Sequence, residues 1–245
     1  GVPQGSILGP LLFLIYVNDM PNVCRNLLFM LFADDTNILY SHSDIMNLMN
    51  TVNSELANLS DWFKANRLSL NIKKTNFIMF GYKRMPAQYN SQDFNFDIRI
   101  DNEGIFKVDY TKFLGVIIDH KLTWQRHIDY IALKISKALS VLSRLKYKLP
   151  KSSLLSLYYS LTYPKINYCI IIWENASKTL MNKLSILQKR AVRIIDTVSF
   201  FKCHTDPIFI KYKLLKVLDV YFISCLLFLY KFIFNLLPAV CLNLL

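Results

Sequence analysis

The sequence predicts an α+β fold in which a strand-containing first half is followed by a helical second half. Short apolar runs bounded by turn residues recur before about residue 120, and this pattern is typical of strands. From about Leu122 onward, apolar residues instead recur at the spacing of one helix face. Apolar residues make up 53% of the 245 residues and charged residues 19%, so the chain can bury a core and is not disordered.

The most informative segment is residues 31–36, where Asp34 and Asp35 lie side by side between two apolar runs. These runs, residues 27–32 and 38–40, predict two short buried strands with the acidic pair at the tip of a hairpin. At a turn both carboxylates can converge, and burying two charges without a partner is costly. A divalent cation such as Mg²⁺ is the natural partner, and a solvated Asp-Asp turn is the alternative.

A glycine- and proline-rich segment, residues 1–10, precedes a helix-like apolar stretch at residues 11–17. Pro10 suits the first turn of that helix. Glycines such as Gly5 lack side chains, so the backbone can approach a flat ligand such as a base pair. Gln4 can donate and accept hydrogen bonds there. An ordinary loop before a core helix is the alternative.

Two later segments complete a set of four motifs. Residues 68–75 end in the sequence Asn-Ile-Lys-Lys-Thr and precede a strand-like run at residues 77–80. Residues 110–119 have a strand pattern that contains Gly115, which indicates a bulge or a close backbone approach. A loop lysine pair and a core strand are the simpler interpretations of these two segments.

Helical spacing predicts the remaining elements. Apolar residues between Ile45 and Phe63 predict a helix that covers the back of the sheet, with Ser43 or Asp44 as its cap. Alternation in residues 91–103 favours a β-hairpin or an edge segment. In the second half, one apolar stripe runs from residue 124 to 145. Further helices are predicted over residues 152–163, 179–195 and 212–237.

Charge divides the chain in the same way as the predicted structure. Residues 1–120 contain 10 lysines and arginines and 12 aspartates and glutamates, a net charge of −2. Residues 121–245 contain 19 and 5, a net charge of +14. This asymmetry suits a protein that holds cations in one half and nucleic-acid backbone in the other. A membrane surface or an anionic protein is an alternative partner, because net charge alone does not choose.

The cysteines and the apolar end of the chain bear on where the protein acts. Five scattered cysteines without zinc-site spacing indicate reduced thiols in an intracellular protein. The apolar run at residues 220–230 is shorter than the roughly 20 residues of a membrane span. We therefore expect a buried helix there and no membrane partner.

The order and spacing of the four motifs resemble the palm of reverse transcriptases, and within them the non-LTR (LINE-type) retrotransposon enzymes, particularly the jockey-like group. The resemblance spans most of the chain and is weaker beyond Pro150. It implies a right-hand polymerase palm, a small antiparallel sheet with helices, over residues 1–120. An all-α thumb with a C-terminal extension would occupy residues 121–245.

The resemblance also implies a reaction and a set of partners. A primer 3′-hydroxyl would attack the α-phosphate of a deoxynucleoside triphosphate, with two Mg²⁺ or Mn²⁺ ions as cofactors. An RNA template and a DNA primer would be the nucleic-acid partners. Asp34 would be the main metal ligand and Asp35 an accessory ligand or electrostatic support. Lys74, or Lys73, would protonate or screen the pyrophosphate, with solvated surface lysines as the alternative.

Further residues would contact the nucleic acid. The loop residues Gln4, Gly5 and Ser6 would fit against the nascent base pair, together with Asn71 and Lys73. Phe113, Leu114 and Gly115 would position the primer end. Four basic residues of the thumb would follow the phosphates without reading sequence. These are Arg126, Lys134, Lys137 and Arg144, which lie mostly off the apolar stripe.

One motif of the resemblance has no counterpart here. The family's first palm motif lies upstream of the glycine loop and carries another metal-binding aspartate, whereas this chain begins at Gly1. We therefore expect a fragment or decayed copy of a longer polyprotein, inactive by itself, with the fingers, the start of the palm and an endonuclease region outside it. A functional parent would act in the nucleus at the target-primed step.

Two other interpretations of the chain remain open. One is a noncatalytic nucleic-acid-binding remnant of such an enzyme. The other is an unrelated basic helical module that binds a membrane or a protein. Salt-dependent binding to a primer–template, absent for liposomes, would separate the reverse transcriptase fragment and its noncatalytic remnant from the unrelated module.

Overall fold

The computed structural model describes residue 3 and residues 5–81, 96–197 and 204–238. The chain forms two compact units, Gly1–Asp109 and Tyr110–Leu245. The first combines helices with short strands, and the second is helical after one β-hairpin, so the predicted α+β class is confirmed. The predicted domain boundary at residue 120 stays a prediction.

The first unit contains two α-helices, two 3₁₀-helices and six strands within its described residues. They are α1 (Leu8–Tyr16), a 3₁₀-helix (Met20–Val23), β1 (Leu28–Phe32), β2 (Asp35–Leu39), α2 (Ile45–Ala65), a 3₁₀-helix (Ile72–Lys74), β3 (Asn76–Phe77), β4 (Arg99–Ile100), β5 (Glu103–Gly104) and β6 (Phe106–Lys107).

The second unit contains one pair of strands and seven α-helices within its described residues. They are β7 (Tyr110–Phe113), β8 (Val116–Asp119), α3 (Gln125–Leu145), α4 (Lys151–Leu161), α5 (Tyr163–Asn167), α6 (Ile170–Trp173), α7 (Lys178–Asp196), α8 (Asp206–Lys211) and α9 (Val217–Ile233).

The strands form four separate pairs in the part of the chain that the structure describes. The pairs β1–β2, β4–β5 and β7–β8 are antiparallel hairpins, whereas β3 and β6 pair in parallel. The expected antiparallel pairing is therefore present, but the four strand pairs of the described residues do not join into one sheet. Strands of two residues, as in β3 to β6, offer few hydrogen bonds to a third strand.

Helix α2 is built as its sequence predicts. The Asp44 side chain accepts hydrogen bonds from the backbone N–H of Met46 and of Asn47, at 3.2 and 3.4 Å, so Asp44 is the N-cap. One face of the helix is buried in the core of the first unit. The buried apolar residues of that face are Ile45, Met49, Leu56, Leu59 and Trp62.

The β1–β2 hairpin is covered on one face and open on the other. Phe29, Leu31 and Ile38 pack against the core of the first unit. Met30 and Phe32, on the opposite face, are exposed. The expectation of two buried strands is therefore wrong for one face, because a lone antiparallel pair has a second side that no described residue covers.

Helix α3 carries the predicted apolar stripe. Its core-facing side chains are fully or nearly fully buried and include Ile128, Ile131, Ile135, Leu139 and Leu142. They pack with buried residues of α4, α5, α6 and α7 in a single hydrophobic core. The helices predicted over residues 152–163 and 179–195 are confirmed as α4 and α7, each shifted by one or two residues.

Helix α9 differs from its prediction. Only Val217 and Val220 are buried, whereas most of its later apolar residues are exposed, including Phe222 and Leu226. The expectation of a buried helix at residues 220–230 is therefore wrong within the described chain. No helix of the described residues is long and apolar enough to cross a membrane.

Two strand predictions are only partly met. The strand-like run at residues 77–80 keeps one strand residue, Phe77, because β3 ends there. In the predicted hairpin at residues 91–103, residues 91–95 lie outside the described chain. The rest forms the β4–β5 hairpin, with Ile98 and Ile100 buried.

Candidate active site

The acidic pair lies at the tip of the β1–β2 hairpin, as predicted. The strands are in register up to Phe32 opposite Asp35, so Ala33 and Asp34 form a two-residue turn. Ala33 has a φ of 53°, in the left-handed region that favours glycine. Strained backbone of this kind persists only where its surroundings support it, and it clusters at functional sites.

The two carboxylates at this tip fit a divalent cation by ligand type. Asp34 and Asp35 are both exposed, so their oxygens are open to solvent. Mg²⁺ and Mn²⁺ accept carboxylate oxygens together with water and substrate phosphate. Among the described residues, no three side chains of His, Cys, Asp or Glu cluster to hold a metal. The hairpin therefore offers an open two-carboxylate site rather than a closed cage.

A buried glutamate anchors the segment that leads into this hairpin. Glu55 of α2 accepts hydrogen bonds from the backbone N–H of Arg25 and Asn26, each at 3.2 Å, and from the Asn26 side chain at 2.7 Å. Burial alone would raise the pKa of Glu55, but these hydrogen bonds lower it below its usual value. Sequence reasoning missed Glu55, although a glutamate next to the core position Leu56 was a usable signal.

The glycine loop leads into the first helix. Gly5 has a φ of 86°, and the Ser6 hydroxyl accepts a hydrogen bond from the Gly9 N–H at 3.2 Å. This bond satisfies one of the free N–H groups at the start of α1. The helix begins at Leu8, earlier than the predicted residue 11, and Pro10 lies in its first turn. Gln4 lies outside the described residues.

The Asn71–Thr75 motif forms a tight turn. The backbone carbonyl of Asn71 accepts hydrogen bonds from the Lys74 N–H at 3.0 Å and from the Thr75 hydroxyl at 3.1 Å. Lys73 and Lys74 therefore lie in the short 3₁₀-helix, and both side chains are exposed. Their ammonium groups are open to a solvent-borne anion, which leaves both the phosphate-contacting and the solvated interpretation possible.

The Phe113–Gly115 motif forms the turn of the β7–β8 hairpin. Leu114 and Gly115 connect β7 to β8 with φ values of 45° and 90°. The expected bulge within a strand is therefore a two-residue hairpin turn. The expected close approach is confirmed, because a Cβ on Gly115 would lie 3.3 Å from the Tyr168 ring. The Tyr168 hydroxyl also donates a hydrogen bond to the Leu114 carbonyl at 2.5 Å.

Two buried polar residues join this hairpin to α3. Asp119 accepts hydrogen bonds from the backbone N–H of Thr123 at 3.1 Å and of Trp124 at 3.0 Å. His127 Nδ1 accepts a hydrogen bond from the Ile117 N–H at 3.2 Å. Burial lowers the pKa of His127 to about 4, so the imidazole is neutral at pH 7.

The predicted backbone-binding residues share one exposed face of α3. Arg126, Lys134, Lys137 and Arg144 all have exposed side chains and lie about 8, 3 and 7 residues apart. At 3.6 residues per turn these intervals keep them on one side of the helix, opposite the buried stripe. None of the four forms an ion pair with a carboxylate within the described chain.

The predicted site residues fall into the two compact units. The acidic hairpin, the loop at Gly5 and Ser6, and the turn at Asn71–Lys74 belong to the first unit. The hairpin tip at Phe113–Gly115 and the basic face of α3 belong to the second unit.

The part of the chain that carries most of these motifs is similar to a known family. Residues 1–118 match the family model described as reverse transcriptase (RNA-dependent DNA polymerase). The resemblance to the reverse transcriptases of non-LTR, jockey-like retrotransposons is thereby confirmed.

The similarity to individual relatives extends beyond that match. The chain is 27% identical over 213 residues to a probable RNA-directed DNA polymerase from transposon X-element of Drosophila melanogaster, which covers 84% of this chain and 22% of the relative. It is 26% identical over 211 residues to the RNA-directed DNA polymerase from mobile element jockey of the same species, covering 82% and 22%. The chain thus spans about a fifth of the length of the curated relatives it matches. No solved structure gives a significant match.

Proposed function

We propose that this chain is the palm-and-thumb segment of an RNA-directed DNA polymerase of a non-LTR retrotransposon. The observation that carries the proposal is the Asp34-Asp35 pair at an exposed, strained hairpin tip inside the reverse transcriptase match. In this proposal residues 1–120 form the palm from the glycine loop onward, and residues 121–245 form a helical thumb with an extension.

The proposed reaction joins a deoxynucleotide to the 3′-hydroxyl of a DNA primer paired with an RNA template, and pyrophosphate leaves. Asp34 is the main ligand of the divalent cations. Asp35 is an accessory ligand or stabilises their positive charge electrostatically. When bound, Mg²⁺ or Mn²⁺ lowers the pKa of the primer hydroxyl and stabilises the leaving oxygen. The open position of both carboxylates leaves room for substrate phosphate beside the tip.

The exposed lysines after α2 handle the product side of this reaction. Lys74, with Lys73 beside it, donates a proton to the pyrophosphate or screens its charge. The hydrogen bonds of the Asn71 carbonyl fix the backbone of this turn, so both lysine side chains leave the chain from a defined place. Gln4, Gly5 and Ser6 approach the nascent base pair.

The second unit holds the primer and the duplex. The tip at Phe113, Leu114 and Gly115 positions the primer end, supported by the hydrogen bond from Tyr168. The basic face of α3 follows the phosphates of the duplex. That face extends over 18 residues from Arg126 to Arg144, or about 27 Å at 1.5 Å per residue, which is enough to contact several successive phosphates.

Primer extension tests this function. The chain is joined to the upstream region of its parent, which the resemblance expects to carry the other aspartate, and assayed on an RNA template with Mg²⁺. We expect primer extension by this longer chain. The rate of extension should fall at least about 100-fold in Asp34→Asn, because a ligand of the divalent cations is lost. Asp61→Asn, at an aspartate whose side chain is 80% exposed, is the matched control and keeps activity.

The same assay separates the competing interpretations. We expect residues 1–245 alone to give no more extension than the Asp34→Ala, Asp35→Ala variant. The hairpin supplies only two carboxylates, and a preorganised site that fixes both cations needs further ligands. Full activity of Asp34→Asn in the extended chain would contradict the assignment. Binding of primer–template without any extension, even in the extended chain, would favour the noncatalytic remnant.

A further inference from the structure

Two cation–aromatic groups lie where β7 meets α3. The Arg126 guanidinium carbon is 4.1 Å from the centre of the Tyr110 ring. The ammonium nitrogens of Lys134 and Lys112 lie 4.4 and 5.6 Å from the centre of the Tyr130 ring. We call these five residues the basic–aromatic face. Only Arg126 and Lys134 have a role in the proposed function.

The local geometry places all five side chains on one surface. Tyr110 and Lys112 are alternate residues of β7 and are both exposed, so they point to the same side of the hairpin. Arg126, Tyr130 and Lys134 recur every four residues on α3, so they share one side of the helix. The Tyr130 ring contacts a cation from each element, Lys112 of β7 and Lys134 of α3, and the Tyr110 ring of β7 contacts Arg126 of α3. These contacts join the hairpin and the helix into a single basic surface.

The positive charge of this face is not balanced by carboxylates. Within the described residues, Lys112, Arg126 and Lys134 form no ion pair. The acidic residue of α3, Asp129, instead pairs with Lys183 of α7 at 2.5 Å.

The phenol at the centre of the face reports the same excess of positive charge. A hydrogen bond from Lys134, with a smaller contribution from Lys112, lowers the pKa of the Tyr130 hydroxyl. Cations held this close repel one another, so the face becomes more stable when an anion binds to it.

We infer that the basic–aromatic face binds the phosphate backbone of the nucleic acid, with Lys112, Lys134 and the Tyr130 hydroxyl converging on one phosphodiester. Arg126 contacts a phosphate further along. The two ammonium groups and the phenol supply donors from two elements around one point, and such charge-assisted bonds suit a phosphate oxygen. This inference rests on the proposed function and adds Lys112 and Tyr130 to its substrate contacts, while the Tyr110 ring positions the Arg126 guanidinium.

The spacing of the face agrees with a backbone ligand. Arg126 and Lys134 are two helical turns apart, about 12 Å at 1.5 Å per residue. Phosphates of one strand advance by about 3.4 Å each along a duplex, so the two groups lie three or four phosphates apart. Contacts of this type fix the position of the duplex and carry no sequence information.

Fluorescence anisotropy with a labelled RNA–DNA primer–template tests the inference on the full chain across a range of salt concentrations. We expect Lys112→Gln and Lys134→Gln each to weaken binding about 5- to 10-fold and to reduce the slope of log K against log salt by about 0.9. Tyr130→Phe should weaken binding about 3-fold with an unchanged slope, because a neutral donor releases no counterion. Lys178→Gln and Tyr147→Phe, at exposed positions outside the face, are the matched controls and bind like the wild type.

The outcomes separate this inference from the proposed function. Lys112→Arg keeps the charge and should restore most of the affinity, which would exclude misfolding as the cause. Wild-type affinity and slope in Lys112→Gln and Lys134→Gln, while the wild type binds tightly, would overturn the inference and leave the proposed function intact. Absence of binding by the wild-type chain would overturn both. If Lys112→Gln and Lys134→Gln lost binding to anionic vesicles and kept wild-type binding to the primer–template, the inference would be overturned in favour of a lipid surface.

Discussion

Gly115 illustrates how a single residue determines the shape of a proposed substrate-contacting turn. Its φ of 90° follows a Leu114 φ of 45°, and consecutive left-handed residues of this kind produce the tight turn between β7 and β8. The Tyr168 ring lies 3.3 Å from the position that a Cβ of Gly115 would take, which is closer than an ordinary van der Waals contact. The turn therefore depends both on the missing side chain and on a tyrosine from the loop before α6.

We expect Gly115→Ala to loosen this hairpin. The left-handed φ is unfavourable for alanine, and the new Cβ would press on Tyr168 at 3.3 Å. The combined cost should be about 1–2 kcal/mol, equal to roughly 5- to 30-fold faster amide hydrogen exchange in residues 110–119.

Gly104→Ala is the matched control for this change. Gly104 lies in a strand, and a Cβ there would meet no atom within 4 Å. Exchange in its hairpin should be nearly unchanged. Equal protection of residues 110–119 in Gly115→Ala and the wild type would contradict the account of the turn.

At the same scale, the sequence signalled residues with special backbone roles and did not signal their partners. Gly115 inside an apolar strand pattern correctly predicted a close approach, because few other reasons place glycine there. Tyr168 was not predicted, since the contact joins residues far apart in the chain. Glu55 and Asp119 were missed for the same reason: a buried carboxylate is recognised by the N–H groups around it, and folding brings those together.

Among the secondary-structure elements, His127 connects the β7–β8 hairpin to α3. The imidazole is 2% exposed and accepts the Ile117 N–H, so one uncharged ring joins β8 to the helix. It also packs edge-on against the buried Trp173 at 5.7 Å between ring centres. A protonated imidazole could not accept the Ile117 hydrogen bond, and its charge would be buried without a carboxylate among its hydrogen-bond partners.

The stability of this unit should therefore depend on the protonation of His127. Its pKa of about 4 in the folded state is below the usual value of 6.5, so the unfolded chain binds more protons between these two values. The contribution of the neutral ring is fully present above pH 6.5 and decreases as the pH falls toward 4. The decrease should reach at most about 3 kcal/mol.

Urea unfolding at several pH values, followed by tryptophan fluorescence, measures this effect. His127→Gln keeps an acceptor for the Ile117 N–H and cannot titrate, so its stability should change less between pH 6.5 and 4. His42→Gln, at an exposed histidine of the first unit, should follow the wild type. Identical pH dependence in His127→Gln and the wild type would exclude the proposed role of the imidazole.

The elements themselves were predicted well where the signal is local. Helices α2, α3, α4 and α7 have clear apolar stripes, and the cap at Asp44 is a contact between near neighbours in sequence. The strands were predicted less well because β-pairing depends on distant residues, as in the parallel pair of β3 and β6. The exposed apolar surface of α9 was missed, since apolar composition does not reveal whether another element covers a helix.

For the whole molecule, the order of motifs and the separation of charge were readable from the sequence alone. An acidic first half and a second half of net charge +14 agree with metal binding in one unit and phosphate binding in the other. The spatial arrangement of the motifs could not be predicted from the sequence, because four separate strand pairs replace the expected single sheet within the described chain. The proposed function depends most on the acidic hairpin.

Manganese binding to the full chain, followed by the loss of the electron paramagnetic resonance signal of free Mn²⁺, tests that central claim most directly. Two exposed carboxylates should bind one Mn²⁺ weakly, with a dissociation constant on the order of 1 mM. We predict that this binding disappears in the Asp34→Asn, Asp35→Asn variant and is unchanged in Asp61→Asn. Equal Mn²⁺ binding by the wild type and the Asp34→Asn, Asp35→Asn variant would contradict the assignment of the hairpin as the metal site.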